Sequence, residues 1–244
     1  MGRLLFISDL HLAAERPDTS ATFFAFLEGE ARRASALYVL GDLFEYWLGD
    51  DELGARDGDP LAREGAAGFR TLAAAGTSVS IMHGNRDFLL ADQFARASGA
   101  TLIADPTVID APGGRVVLLH GDTLCTDDAD YMNWRKIARS TEWQGEFLSK
   151  PLQARRETIR GLRERSRQVI AAKPAEIMDV NAGAVADAFR HHGVRRMIHG
   201  HTHRVARHDL SVDGASCERW VLPDWYGSGG YLVIDEAGPR LVTL

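Results

Sequence analysis

Five short aliphatic runs are spaced along the first 200 residues, and each is followed at once by glycine, aspartate or histidine. The runs read LLFIS, ALYVL, SVSIM, VVLL and RMI, and their length and composition are typical of buried strands. Longer amphipathic segments lie between them and predict helices over 19–33, 61–75, 91–98 and 182–192. This alternation of strands and helices predicts an α/β fold.

The pattern changes after residue 200. Four short, partly alternating segments, VARHDLSV, RWVLP, YLVID and RLVTL, are separated by Gly, Pro and Asp. Such spacing predicts antiparallel strands, and we expect a β meander at the C-terminus.

A basic segment separates these two halves. From 132 to 173 there are eleven Lys or Arg and four Glu, so that 17 of the 28 basic and 30 of the 34 acidic residues remain elsewhere. Apolar residues in this segment recur at roughly helical spacing, which predicts helices. We therefore expect one domain over 1–244, with a helical cap inserted at approximately 127–180.

Composition excludes several classes of protein. The formal net charge of -6 argues against a general nucleic-acid binder. Two cysteines without a C-x-x-C pair offer neither a disulfide framework nor a thiolate zinc site, and they favour a reducing cytoplasm. The N-terminus reads as a strand, not a signal peptide, and no apolar run approaches the roughly 18 residues of a membrane span. Any membrane contact should be peripheral.

Polar side chains that can bind metals follow the predicted strands. The carboxyl ends of strands in an α/β sheet face a common crevice, so these side chains should converge. Two carboxylates, four imidazoles and one amide suit two divalent cations, with a carboxylate between them and a water that ionises near neutral pH as nucleophile. The residual charge of about +2 suits a diphosphate substrate. The seven residues are Asp9, His11, Asp42, Asn85, His120, His201 and His203.

These residues stand in five ordered blocks: D-x-H, G-D, G-N-[HR]-D, a distant H and G-H-x-H. In this order the blocks resemble those of the calcineurin-like metallophosphoesterases, which implies a four-layer αββα sandwich. The stretches GDLFEYWLGDD, HGNRDFLL, HGDTLCTDDADY, IMDVN and IHGHTHR are similar to those of one family within it, the UDP-2,3-diacylglucosamine diphosphatases of lipid A biosynthesis. The resemblance favours manganese as the metal.

The resemblance also implies a role for individual residues. It assigns Asp9, His11, Asp42 and His203 to one metal, and Asp42, Asn85, His120 and His201 to the other. Asp42 would bridge the two ions, and the catalytic set would be Asp42, Asn85, Arg86 and His120. The implied substrate contacts are Asn85, Arg86, Asp128, Tyr131, Ser166, Lys173 and His201. Ile170 stands where such enzymes usually have a polar contact.

Arg86 bears on the reaction. Many members of the superfamily have histidine here, able to protonate an alkoxide, whereas the pKa of arginine exceeds about 12. The leaving group must then be good already, and a phosphate monoester with a second pKa near about 6 meets that need. We predict hydroxide attack on the phosphorus next to uridine, releasing UMP and 2,3-diacylglucosamine 1-phosphate.

Other interpretations stay open at this point. The chain could act on soluble nucleotides or cyclic phosphodiesters, but this activity gives the basic insert and Arg86 no evident role. It could also serve as a non-catalytic scaffold, although such scaffolds usually lose metal-ligand residues. The insert could contact the cytoplasmic face of a bacterial inner membrane. Asp87 could orient a ligand histidine or cap the next helix, and His83 and His199 fall outside the ligand positions. The oligomeric state is left open.

Overall fold

The computed structural model describes residues 2–172 and 179–244, with the side chains of 166–172 excepted. Its described part forms two β-sheets flanked by helices, so the predicted α/β class is confirmed. The strands are β1 Leu4–Ile7, β2 Ala36–Leu40, β3 Ser78–Met82, β4 Thr101–Ile103, β5 Thr107–Ala111, β6 Gly114–Leu118, β7 Arg196–His199, β8 Ala206–Val212, β9 Ala215–Val221, β10 Gly230–Asp235 and β11 Gly238–Thr243.

The first sheet has the order β11-β10-β1-β2-β3-β4, with β1 to β4 parallel. The second has the order β5-β6-β7-β9-β8, with β6, β7 and β9 parallel. The predicted C-terminal meander is wrong. Its four strands form two hairpins that join different sheets, since β9 pairs with β7 whereas β10 pairs with β1. Alternation within each strand indicated a strand but not its partner.

The helices are α1 Pro17–Glu28, α2 Pro60–Ala74, α3 Asp92–Ser98, α4 Ala129–Ala138, α5 Thr141–Leu148, α6 Leu152–Ala172 and α7 Ala182–His192. The predicted helix over 19–33 is too long. It begins at Pro17, where the ring fits the first turn, ends before Gly29, and is followed by a separate 3-10 turn at Ala31–Arg33. The bounds of α7 are as predicted, because Asn181 accepts from the Ala184 amide and Gly193 adopts a left-handed conformation.

Four layers result from the packing. Phe6, Leu40, Ile198 and other buried residues fill the space between the sheets. One outer face of the pair is covered by α1 and α2, and α7 covers the other through Val185 and Phe189. This is the expected αββα sandwich.

Helices α4 to α6 lie between β6 and α7, where the cap was predicted. Arg155 of α6 is buried and holds the helix to the core. It donates to the Leu48 carbonyl at 2.6 Å and to both Asp51 carboxylate oxygens at 2.8 and 2.5 Å. None of the helices in the described residues is long and apolar enough to cross a membrane.

Candidate metal centre and active site

Seven polar side chains converge where five strands end. Asp9 and His11 follow β1, Asp42 follows β2, Asn85 follows β3, His120 follows β6, and the pair His201 and His203 follows β7. The predicted convergence at the carboxyl ends of the strands is therefore what the structure has.

Five of these residues adopt a left-handed backbone conformation, with φ between 50° and 66°. Residues with side chains rarely adopt it, at a cost on the order of 1 kcal/mol or more each. In the turns that follow the strands, this conformation directs the side chains towards one point. The five are Asp9, His11, Asp42, His201 and His203.

One half of the cluster is built around Asp9. The Asp9 carboxylate lies 3.2 Å from His203 Nε2 and 4.0 Å from His11 Nε2, and His11 Nε2 lies 3.7 Å from Asp42. The second Asp9 oxygen accepts from the Ser8 hydroxyl at 2.5 Å and from the His201 amide at 2.9 Å. These bonds fix the carboxylate and leave one oxygen facing the two imidazoles.

The other half is built around Asn85. Its amide oxygen lies 3.0 Å from His120 Nε2 and 2.9 Å from His201 Nδ1. His120 Nδ1 donates to the Leu40 carbonyl at 2.9 Å, which points Nε2 inward. Asp42 lies between the halves, 3.9 Å from His120 Nε2.

Two glycines permit this close approach. A Cβ on Gly84 would overlap the Asp42 carboxylate, and one on Gly200 would overlap Ser8 and Asp9. The G-N and G-H pairs of the sequence therefore carry glycine because the backbone touches the carboxylates there.

The donor set fits divalent cations. Burial lowers the pKa of His11 to about 3, so the ring is neutral. Both of its buried nitrogens are without a hydrogen-bond partner among the described residues. Burial raises the pKa of Asp42 to about 7. Burial alone would lower the pKa of His120, but Asp42, Asp122 and Asp9 raise it to about 9. Paired carboxylates facing unpartnered imidazole nitrogens are the environment that a cation stabilises.

Asp87 serves neither of the two roles predicted for it. Its buried carboxylate accepts from the backbone amides of Gly84 at 2.8 Å and Leu43 at 2.7 Å, with Phe44 more distant at 3.4 Å. It thereby joins the turn that carries Asn85 to the turn that carries Asp42.

The predicted substrate contacts lie in different surroundings. The Arg86 backbone amide donates to Asp42 at 2.8 Å. The buried Nε of the Arg86 side chain has no hydrogen-bond partner in the part of the chain that the structure describes. Tyr131 lies beside His201, with ring centroids 5.8 Å apart. The Asp128 carboxylate caps α4 by accepting from the Tyr131 amide at 3.0 Å. The Ser166 side chain, like that of Ile170, and all of Lys173 lie outside the described residues.

Two buried carboxylates next to the site were missed. Asp122 accepts from the Tyr131 hydroxyl at 2.5 Å and from Arg135 Nε at 2.7 Å. Glu45 faces His11 Nδ1 at 3.5 Å. Asp122 comes two residues after His120 and Glu45 three residues after Asp42, and this closeness to predicted ligands was the available signal.

Part of the charge of the insert is neutralised within the protein. Arg156 contacts Glu52 and Asp57, and Arg163 contacts Glu45. The acidic remainder and the basic insert thus bind each other. The two arginines are consequently unsuited as the membrane contacts that the charge count alone suggested.

Comparison with known proteins agrees with this site. The family model described as calcineurin-like phosphoesterase matches residues 2–205. A UDP-2,3-diacylglucosamine hydrolase of Aromatoleum aromaticum is 51% identical over 96% of this chain and 94% of its own. Proteins of the same name from Pseudomonas paraeruginosa and Cellvibrio japonicus are 48% and 47% identical over 97% of both chains. The chain therefore belongs to the calcineurin-like phosphoesterases, which use divalent metal ions, and within them to the family of the UDP-2,3-diacylglucosamine hydrolases.

Proposed function

We propose that this protein hydrolyses the diphosphate of UDP-2,3-diacylglucosamine to UMP and 2,3-diacylglucosamine 1-phosphate. The observation that carries the proposal is the cluster of two carboxylates, four imidazoles and one amide at the strand ends. The names of its relatives supply the substrate class.

The cluster is proposed to hold two divalent ions in the arrangement predicted from the sequence, with Asp42 shared. Oxygen and imidazole ligands suit manganese, which is our proposal for the metal. When bound, such ions neutralise phosphate charge and activate water. The chain itself sets the directions of the ligands: Ser8 and the His201 amide fix Asp9, and the Leu40 carbonyl fixes His120.

Arg86 is proposed to hold the diphosphate. Its backbone is anchored on both sides, because its amide donates to Asp42 and its carbonyl accepts from the Trp47 amide at 3.1 Å. The unpartnered Nε is a donor that a phosphate oxygen could satisfy. As a permanent cation it stabilises charge on the phosphates as the phosphorus–oxygen bond breaks, without supplying a proton.

The lipid half of the substrate is proposed to lie under the cap. A cleft beside Asn85 is lined by Phe88, Tyr131, Trp134 and Arg139. Its mixture of aromatic surface and guanidinium suits a sugar phosphate that carries acyl chains. A soluble nucleotide or a cyclic phosphodiester would leave this apolar lining unused.

The cap is also proposed to meet the cytoplasmic face of the inner membrane. Ile137 on α4 and Leu148 on α5 expose 53% and 40% of their surface, and Lys136 and Arg160 are exposed as well. Exposed apolar side chains beside basic ones favour an anionic membrane surface.

An assay of purified, manganese-loaded protein tests the function. UDP-2,3-diacylglucosamine is offered beside UDP-N-acetylglucosamine, which has the same diphosphate without long acyl chains, and beside bis-nitrophenyl phosphate. We expect turnover of the acylated substrate to exceed that of both controls. Turnover of the controls alone would overturn the proposal.

A further inference from the structure

Glu45 occupies a position that the proposed function does not use. Its carboxylate is buried, with 7% of the side chain exposed, and three side chains from separate parts of the chain converge on it. Arg16 precedes α1, His11 belongs to the metal cluster, and Arg163 lies on α6 of the cap.

The backbone brings Glu45 to His11. The His11 amide donates to the Asp42 carbonyl at 2.9 Å, and the Glu45 amide donates to the Leu12 carbonyl at 3.0 Å. The two segments therefore run side by side beyond the ends of β1 and β2. This places Glu45 Oε2 3.5 Å from His11 Nδ1, while His11 Nε2 faces Asp9 and Asp42.

The two nitrogens of His11 thus face different groups. A neutral imidazole carries one N–H and one lone pair, and a metal ligand must present the lone pair. With Nε2 turned to the cluster, the N–H belongs on Nδ1. Glu45 Oε2 lies 3.5 Å from Nδ1, a contact that does not meet hydrogen-bond geometry, and it is the carboxylate placed to orient this side of the ring.

The second Glu45 oxygen reaches the cap. Arg163 Nη2 contacts Oε1, and its guanidinium lies 5.5 Å from the Tyr46 ring. Arg16 contacts Oε2 and also lies 4.7 Å over the ring of Tyr226, which stacks on His11. One carboxylate is therefore shared between a ligand of the cluster and a helix of the cap.

We propose that Glu45 is a positioning residue that orients His11 for metal binding and, through Arg163, couples metal binding to docking of α6. The inference rests on the assignment of His11 as a metal ligand in the proposed function. Because coupling between two sites is reciprocal, metal should stabilise the docked helix, and the docked helix should strengthen metal binding by the same factor.

The test compares Glu45→Gln with Asp51→Asn. Both changes remove one carboxylate that binds an arginine of α6. Asp51 binds Arg155 and, within the described part of the chain, makes no ion pair or hydrogen bond with the metal cluster. Manganese affinity is measured by equilibrium dialysis with elemental analysis. Protection of the backbone amides of 152–165 is measured by hydrogen exchange with and without manganese, after far-UV circular dichroism has established that each variant is folded.

In the unmodified protein, manganese should slow exchange in 152–165 by about fivefold or more. Glu45→Gln should weaken manganese binding about 10- to 100-fold and abolish that difference. Asp51→Asn should raise exchange in both states, retain the difference and leave the affinity unchanged. Arg163→Gln, which keeps the His11 contact, should lose the difference and weaken binding only by the coupling factor of about fivefold.

Two results would overturn the inference: manganese binding by Glu45→Gln as tight as by Asp51→Asn, or retained manganese-dependent protection of α6 in Glu45→Gln. His11→Ala separates these failures from failure of the proposed site. If His11→Ala lowers manganese affinity and Glu45→Gln does not, only the coupling is wrong. If His11→Ala binds two ions as the unmodified protein does, the ligand assignment itself is wrong.

Discussion

Asp87 offers a direct test of how the site is held together. Its carboxylate is fully buried and accepts two short hydrogen bonds, from Gly84 at 2.8 Å and Leu43 at 2.7 Å. Replacement by alanine would leave both amides buried without a partner. It would also release the turn that carries Asn85 from the turn that carries Asp42.

The size of the effect follows from those two bonds. A hydrogen bond to a charged group contributes about 1.5–3 kcal/mol, so loss of two such bonds in Asp87→Ala should lower the free energy of unfolding by about 3–6 kcal/mol. Asp87→Asn keeps one acceptor oxygen and should lose about half as much. The third contact, to Phe44 at 3.4 Å, is too long to add much.

Urea denaturation of the metal-free protein, followed by circular dichroism, measures these losses. Asp110→Ala on β5 is the matched control, because Asp110 is exposed and its removal should change stability by less than about 0.5 kcal/mol. A loss below about 1 kcal/mol for Asp87→Ala would refute the view that this carboxylate joins the two turns.

Three further predictions follow from the same structure. His199→Gln should leave the manganese content unchanged, because both ring nitrogens of His199 contact protein groups. His201→Ala and His203→Ala should each lower the manganese content measured by elemental analysis. The reverse order would contradict the ligand assignment. Burial lowers the pKa of His199 to about 3, so its stabilising contribution is complete above about 6.5 and is lost as pH falls towards 3. Urea denaturation of the metal-free protein should show that the free energy of unfolding falls by about 1 kcal/mol between pH 6 and 5, and His199→Gln should lack this decrease. Parallel pH profiles of the two proteins would argue against the titration of His199 as the cause. Replacing Ile137 and Leu148 together by serine should reduce sedimentation of the protein with vesicles of anionic lipid, and should leave turnover of detergent-dispersed substrate unchanged. Unchanged sedimentation would count against membrane docking.

The strand ends were predictable because local sequence carries the signal. Each aliphatic run stops at or within one residue of a polar side chain, and parallel strands must bring those side chains to one edge. Helix α7 was predicted to the residue because both of its ends carry capping residues. The four C-terminal strands were recognised for the same local reason.

The pairing of strands across the fold was not predictable from local sequence. A period of two identifies a strand, but the division of β8–β9 and β10–β11 between two sheets depends on which edge is free. β4 and β5 were missed because both are mostly only partly buried, and β4 has just three residues.

The same distinction holds within the site. A histidine or aspartate in an ordered motif can be recognised from the sequence alone. Glu45 and Asp122 lie outside the motif positions, and their roles depend on side chains that only the fold brings to them, such as Arg163 for Glu45 and Tyr131 for Asp122. The surplus charge of the insert likewise suggested a membrane contact, but Arg156 and Arg163 bind carboxylates of the core. Charge counts give the amount of charge in a segment and not the direction in which it points.

Hydrolysis of UDP-2,3-diacylglucosamine in ¹⁸O-labelled water tests the central claim most directly. With manganese-loaded protein and analysis of both products by mass spectrometry, attack at the phosphorus next to uridine places the label in UMP and leaves 2,3-diacylglucosamine 1-phosphate unlabelled. Label in the lipid product would mean that the other phosphorus is attacked and would contradict the account.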